Sequence, residues 1–249
     1  MIHYHGTPIS GGTQAQMALS GRHIMVSFAT KSAMEQLVEI CHSFVLDNGA
    51  FSTWKAGVPF DLEGYAEWVI KWHRHPAFDW ALIPDVIDGD EDANAQMRAA
   101  WFNAVPDRVR QRAVPVWHLH ESLDVLEYFT TAYDRVALGS SGDYAIVGAP
   151  AWWVRMHEAM EVLCEDRMPK VRIHGLRMLD PTIFSQFPLA SADSTNVARN
   201  AGMDKRWTGP YAPVTPASRA AVLIERIEAH ASASVLPERQ AHRNFELFG

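Results

Sequence analysis

The sequence predicts an α/β fold, a single (β/α)8 TIM-like barrel, on three observations. Short apolar runs recur along the whole chain, helix-patterned stretches separate most of them, and several runs end in a carboxylate or a histidine. Eight runs stand out: 2–5, 23–29, 43–49, 80–86, 113–120, 135–139, 170–175 and 189–193. Several are near-continuously apolar rather than alternating, as parallel strands covered on both faces are. Strand alternating with helix points to a parallel sheet, and eight strands favour a closed barrel over an open one. No G-x-G-x-x-G follows the first run, which weakens a dinucleotide-binding fold.

The intervals between the runs carry their own signals. The first crossover, 7–22, is rich in glycine and is expected to be irregular. Asp61 can cap a helix with Leu62, Tyr65, Trp68, Val69 and Trp72 at helical spacing. Met97, Ala100, Trp101 and Ala104 repeat that spacing, and Ser122 precedes Leu123, Leu126 and Phe129. Pro150 sits where a first helical residue is tolerated, ahead of Trp153, Met156, Met160 and Leu163. Asp180-Pro181 reads as cap plus first turn before Ile183, Phe184 and Phe187. Thr215-Pro216 repeats that signature before a final helix over roughly 217–231. The apolar stripes on these helices read as core faces.

The 249 residues suit one barrel-sized domain, and 48% hydrophobic residues with nine Trp and eleven Phe can fill a large core. No internal repeat or low-complexity linker divides the chain, so 1–249 reads as one domain, with 232–249 a C-terminal tail or docking arm. No run of about 18 apolar residues predicts a membrane span. The first residues lack a basic segment followed by an apolar one, so no secretory signal is expected. Cys41 and Cys164 form neither a paired metal motif nor a disulfide framework, which fits an intracellular protein. A net charge of −7 argues against a basic coat for nucleic acid while allowing a local basic patch.

In a barrel the C-terminal strand ends converge on one mouth, where the chemistry resides. Collected there are Asp47-Asn48-Gly49-Ala50-Phe51, Pro84-Asp85, His118-Leu119-His120, Gly139-Ser140-Ser141-Gly142, His174-Gly175 and Asp193. Asp193 reads as the reacting group, the alternative being a loop aspartate that caps the next turn. Two chemistries fit the collection. One is a carboxylate pair acting on a glycosidic bond, with one acid as nucleophile and the other as general acid/base. The other is a metal-dependent hydrolase in which His3 and His5, alternating on the first strand, point inward to join His118 and an aspartate. A third reading is a barrel that binds a base or nucleic acid without turnover. Gly139 and Gly175 allow a flat ligand close to the backbone, and Phe51 can stack on it.

The motif Asp47-Asn48-Gly49-Ala50-Phe51 resembles the Asp-Ser-Gly-Gly-(Tyr/Phe) motif of tRNA-guanine transglycosylases. The order of later elements is similar too: Asp85, His118, Gly139-Ser140, Ile173-His174-Gly175-Leu176, then Asp193 followed by Ala198-Arg199-Asn200. The resemblance spans roughly 43–202. It implies Asp193 as the nucleophile that displaces guanine and Asp47 as general acid/base. Asn48 and Gly49 belong to the substrate-binding motif. Asp85, His118 and the Gly139-Ser140 backbone would read the base edge, beside Gly175, with Phe51 and His174 sandwiching its faces. No Cys follows Cys164, so the zinc site of the tRNA enzymes is missing. The loop from Asp193 to Arg199 is shorter, and His118 replaces another polar base reader.

These departures resemble the phage and bacterial branch that inserts 7-deazaguanine derivatives into DNA. The implied partners are DNA, with tRNA as the alternative, and the free 7-deazaguanine base, with no cofactor, no metal and no membrane. A helper protein or a homodimer joins that expectation, as does the cytoplasm of a bacterium or phage-infected host. Arg199, Lys205, Arg206 and Arg219, with Trp207 and Tyr211, are the candidate phosphate-and-stacking surface.

Overall fold

The computed structural model describes residues 1–202, 207–210 and 212–238. Its strands are β1 (Ile2–Gly6), β2 (His23–Ser27), β3 (Ser43–Asp47), β4 (Phe78–Leu82), β5 (Ala113–Val114), β6 (Val116–His118), β7 (Arg135–Gly139), β8 (Cys164–Glu165), β9 (Met168–Pro169), β10 (Arg172–Gly175) and β11 (Ser191–Ser194). Nine of them form one sheet in the order β5-β4-β3-β2-β1-β11-β10-β7-β6, with every pairing parallel. β5 and β6 flank Pro115, which has no N–H to give a ladder, so the strand breaks there. β5 pairs with β4 and β6 with β7, so the two ends of the sheet meet at that proline. The sheet is therefore a nearly closed barrel.

Side chains alternate across it with the period of two that strands impose. Tyr4, Met25, Val45, Trp80, Leu82, Val114, Val116 and Ala137 fill the interior as one cluster. Ile24, Val26, Phe44, Leu46, Ala81 and Ile83 face outward, into a larger core that includes Trp68, Trp101 and Trp152 from the helices. Fully burying side chains of this size is worth roughly 1.5–3 kcal/mol each, so this outer layer is what binds helices to sheet. At the N-terminal end of the interior the Tyr4 hydroxyl donates to Asp79 (2.7 Å), as does that of Ser43.

Caps hold the helices in place, all but that of Asp90 as expected. Asp61 accepts the Gly64 N–H at 2.9 Å to start Leu62–Trp72, and Asp90 accepts that of Ala93 at 2.8 Å to start Glu91–Ala104. Ser122 begins Leu123–Ala132, and Pro150 opens Pro150–Leu163. Thr215 and Ser218 form a reciprocal capping box ahead of Pro216–Glu228. Each such cap contributes about 1 kcal/mol. Asp180-Pro181 opens only the single turn Pro181–Phe184.

The crossover at 7–22 is irregular as expected, holding only the short turns Thr13–Gln16 and Met17–Leu19. Two features depart from expectation. A small antiparallel hairpin, β8–β9, follows Pro150–Leu163. On β1, His3 and His5 point away from the interior that Tyr4 fills. His5 Nε2 lies 3.0 Å from Glu228 on the last helix, a carboxylate that also pairs with Arg22. His3 Nε2 lies 3.0 Å from the His230 carbonyl. Strand parity thus makes both histidines fasteners for Pro216–Glu228, and neither reaches the mouth to join a metal set. Beyond that helix the chain docks: Ser232 Oγ donates to the Leu189 carbonyl at 2.8 Å, and the Leu236 N–H to that of Arg167 at 2.8 Å. Among the described residues no helix is long and apolar enough to cross a membrane.

Candidate active site

The C-terminal ends of β3, β4, β6, β7, β10 and β11 bring the acids together. β3 ends on Asp47, and the chain turns at once into the helix Ala50–Ala56. Gly49 makes that turn at φ 75°, where a Cβ would stand 3.0 Å from the Ala29 amide nitrogen. Only glycine suits both demands. The turn buries Asn48, whose amide nitrogen donates to the Ile83 carbonyl (3.1 Å) and to Asp85 Oδ1 (2.6 Å). Its Oδ1 accepts the Ala50 N–H at 2.8 Å. Asn48 is therefore spent on the scaffold: it ties the end of β3 to Asp85.

The other oxygen of Asp85 meets His118 Nε2 at 2.8 Å. Glu121 closes the turn after β6, accepting the His118 N–H at 2.7 Å and the Asn94 amide at 3.1 Å. Burial alone would lower the His118 pKa. The hydrogen bond to Asp85, that carboxylate's charge and the charge of Glu121 outweigh it, and the net shift is upward. His118 Nδ1 is buried without a partner and lies over Gly139, where an added Cβ would come within 3.0 Å of it.

Asp193, at the end of β11, is 6% exposed. Its Oδ1 accepts the Arg177 N–H at 3.0 Å and lies 3.4 Å from His174 Nε2. Arg177 adopts the left-handed φ of 60°, unusual for a side chain of its size. That conformation turns both its amide and its guanidinium over the mouth. The guanidinium donates to the Ser140 carbonyl at 2.6 Å and lies 5.4 Å from the ring centre of Phe51, which is itself 45% exposed.

Asp47 shares the mouth with these acids. Burial is the largest cause raising its pKa to about 7, and the charges of Asp193 and Asp85 add to it against the Ser27 hydroxyl and the Gly49 amide. Like charges gathered in a poorly solvated site leave one of them holding a proton. Two carboxyls of different character therefore face one opening: Asp193 anchored through a single oxygen, and Asp47 titrating near neutrality.

Several expected roles change with the geometry. His174 is completely buried, its ring packed edge-on against Trp80 at 4.8 Å, so it does not sandwich a base. It points into the barrel because it sits one pleat from the strand end. Gly175 serves packing: a Cβ there would stand 2.8 Å from Met178 and 3.0 Å from Leu189. The Ser140 hydroxyl accepts the Trp152 indole N–H at 2.9 Å and its carbonyl is taken by Arg177, so both groups are already engaged. Arg199 is exposed on the short helix Asn196–Asn200 and close enough to influence Arg177. Arg219 is buried, donating to the Ala201 carbonyl at 2.8 Å, and offers no phosphate contact. Lys205, Arg206 and Tyr211 lie outside the described residues.

Arg177 and Glu121 were missed by sequence reasoning. A signal existed for each: a basic residue two positions after His174-Gly175 in an acidic mouth, and an acid three positions after a strand-end histidine. Two clefts of about 850 and 990 Å³ open at the other, N-terminal end of the strands, lined by residues such as Asp134, Arg172 and Ala190 or Asp79, Arg112 and Arg135. Neither touches the carboxylate cluster. Among the described residues no group of three or more His, Cys, Asp or Glu is arranged to hold a metal ion. Comparison of the chain with protein-family models, curated proteins and solved structures gave no match.

Proposed function

We propose that the chain is a base-exchange transglycosylase on a (β/α)8 barrel, replacing guanine in DNA with a 7-deazaguanine through a covalent glycosyl-aspartate. The observation that carries this reading is the division of labour at the mouth. Asp193 is oriented by one oxygen, with no hydrogen bond to the other among the described residues, while Asp47 holds a proton up to about pH 7. One carboxylate to attack and one acid poised near the working pH are what exchange at a glycosidic carbon needs.

In the proposed reaction Asp193 Oδ2 attacks C1′ of the target nucleotide. The C1′–N9 bond breaks, its electron pair leaves with the guanine, and the proton of Asp47 neutralises the departing base. The incoming 7-deazaguanine gives its N9 proton to the Asp47 carboxylate. Its nitrogen then attacks C1′ from the opposite side, and the bond to Asp193 breaks with its electrons returning to the carboxylate. Asp85 accepts from the donor edge of the base, and His118, carrying a proton on Nδ1, donates to its carbonyl. Phe51 and the Arg177 guanidinium cover one face. A duplex target must first leave the stack, and Arg199 would meet a flanking phosphate. The preference for DNA over tRNA rests on the departures from the tRNA enzymes' pattern at His118 and in the shorter loop from Asp193 to Arg199.

The test is release of labelled guanine from DNA and from tRNA side by side, with excess 7-cyano-7-deazaguanine. Release from DNA alone is expected. Release from tRNA alone moves the polymer and keeps the mechanism, and release from neither overturns the enzyme reading. A second expectation concerns Asp85→Ala. It weakens free-base binding by about 10–100-fold, as losing a charge-assisted pair does, while polymer affinity changes less than about 3-fold. Isothermal titration of both ligands reads this, and an equal loss removes Asp85 from base reading.

A further inference from the structure

Behind Asp193 lies a directed chain of hydrogen bonds that the proposed reaction has not used. Arg135, at the start of β7, donates from its guanidinium to Ser191 Oγ at 3.0 Å. A guanidinium only donates, so Ser191 Oγ accepts and its own hydrogen is free to point onward. The next atom is His174 Nδ1, 2.9 Å away. The Ser191 hydrogen has no other acceptor among the described residues, so Nδ1 accepts it, and in a neutral ring the proton sits on Nε2. Nε2 is buried and makes no hydrogen bond within the protein; the carboxylate oxygen beside it is Asp193 Oδ1, at 3.4 Å. The ring cannot turn away, for Trp80 meets it at 4.8 Å and Tyr4 at 6.0 Å, both edge to face.

Burial lowers the pKa of His174, and the nearby charge of Arg135 adds to that against Asp193. This contrasts with His118, where a shorter bond to a carboxylate wins. The two histidines of the mouth thus have opposite tendencies. His118 is biased to carry charge, and His174 to remain neutral with one fixed N–H.

We infer that His174 is a positioning residue for the Asp193 carboxylate, locked by Arg135 and Ser191 as the Nε2–H tautomer so that it and the Arg177 amide hold Oδ1 and present Oδ2 to the sugar. The chemical consequence rests on the transglycosylase reading; the clamp itself does not. In the first step it fixes which oxygen attacks. In the second, when the bond from C1′ to Oδ2 breaks and charge returns to the carboxylate, two N–H groups already face the other oxygen. Preorganised donors of this kind act where charge develops.

Two measurements separate the clamp from the reaction it serves. The first is imidazole nitrogen NMR of the full chain, labelled at histidine, between pH 7 and 8. His174 is expected to remain neutral and protonated at Nε2, and Ser191→Ala is expected to mix the tautomers. A protonated Nδ1 or an imidazolium across that range overturns the inference, whatever the protein catalyses. The second is single-turnover exchange with His174→Leu and His174→Gln. Leu fills the site without a donor and is expected to lower kcat by about 10²-fold, with KM for base and polymer changed less than about 3-fold. Gln restores an N–H at the reach of Nε2 and is expected to recover to within about 10-fold of wild type. If Leu does not fold, Ser191→Ala carries the kinetic test, with an expected loss of about 5–10-fold in kcat. Unchanged kcat in the folded donor-free variant, or no recovery with Gln, overturns the positioning role. Absence of exchange in wild type with the expected NMR result would instead sink the transglycosylase reading alone.

Discussion

Asp193→Asn is expected to abolish base exchange, by about 10⁴-fold or more, while the protein keeps its fold. The substitution is unusually clean here because of how the side chain is held. Asparagine retains an Oδ1 that can accept both the Arg177 N–H and the His174 Nε2–H. What it loses is the second oxygen, the one the proposed reaction uses to attack C1′. Thermal unfolding within about 2 °C of wild type, together with loss of a protein–DNA adduct trapped by denaturation, is the expected pair of results. Asp193→Ala is the contrasting control. It takes the acceptor from the Arg177 N–H and the carboxylate from beside the buried His174 Nε2, at a cost of about 1–3 kcal/mol, and confounds chemistry with stability. Turnover unchanged in the asparagine variant removes Asp193 from the nucleophile role.

The sheet was legible because its signal is carried by period and length. All eight apolar runs coincide with strands of the barrel, and the side-chain parity of β1 follows once Tyr4 is placed inside. What the runs could not show was which parity each strand takes. That is why His3 and His5 read as ligands in sequence and bind the last helix in three dimensions. The β8–β9 hairpin escaped for another reason. Its turn places Asp166 at φ 48° and Arg167 at φ 68° without the Asn-Gly or Asp-Gly pair that normally marks such a turn. A distant contact supports it: Arg167 donates from Nε to the Leu236 carbonyl at 2.7 Å and accepts the Leu236 N–H.

At the mouth the acids were visible as strand-end residues, but their environments were not. Sequence places Asp47, Asp85 and Asp193 at one end of a barrel. It does not reveal that Asn48 and His118 occupy both oxygens of Asp85, or that Arg177 turns left-handed to cover the opening. Such facts depend on register between strands far apart in the chain. The same register separates His174 from the role that its motif position suggests.

Asp47→Asn is expected to make the protein more stable and inactive at once. In the folded chain Asp47 keeps its proton up to about pH 7, chiefly because burial disfavours its charge. In the unfolded chain it releases that proton in the ordinary carboxylate range. Between those limits the folded state binds more protons, so the contribution of Asp47 is fully present below the carboxylate range and is lost as pH rises through about 7. At about 1.4 kcal/mol per pH unit, the full effect has an upper bound of about 4 kcal/mol. The mouth is partly open to water, which reduces it to about 1–3 kcal/mol. Asparagine has no proton to lose. The variant is therefore expected to match wild type at pH 4 and to exceed it by that amount at pH 8, read by urea unfolding. Exchange is expected to fall by about 10²–10⁴-fold, with loss of the titration near pH 7 in the rate profile. A carboxylate retained for structure gives the opposite sign, since removing its charge would cost stability at high pH. Parallel stability curves for the two proteins would sink the assignment of Asp47 as the neutral-pH acid. A gain in stability coupled to a loss of turnover is the mark of a group kept against the interest of the fold.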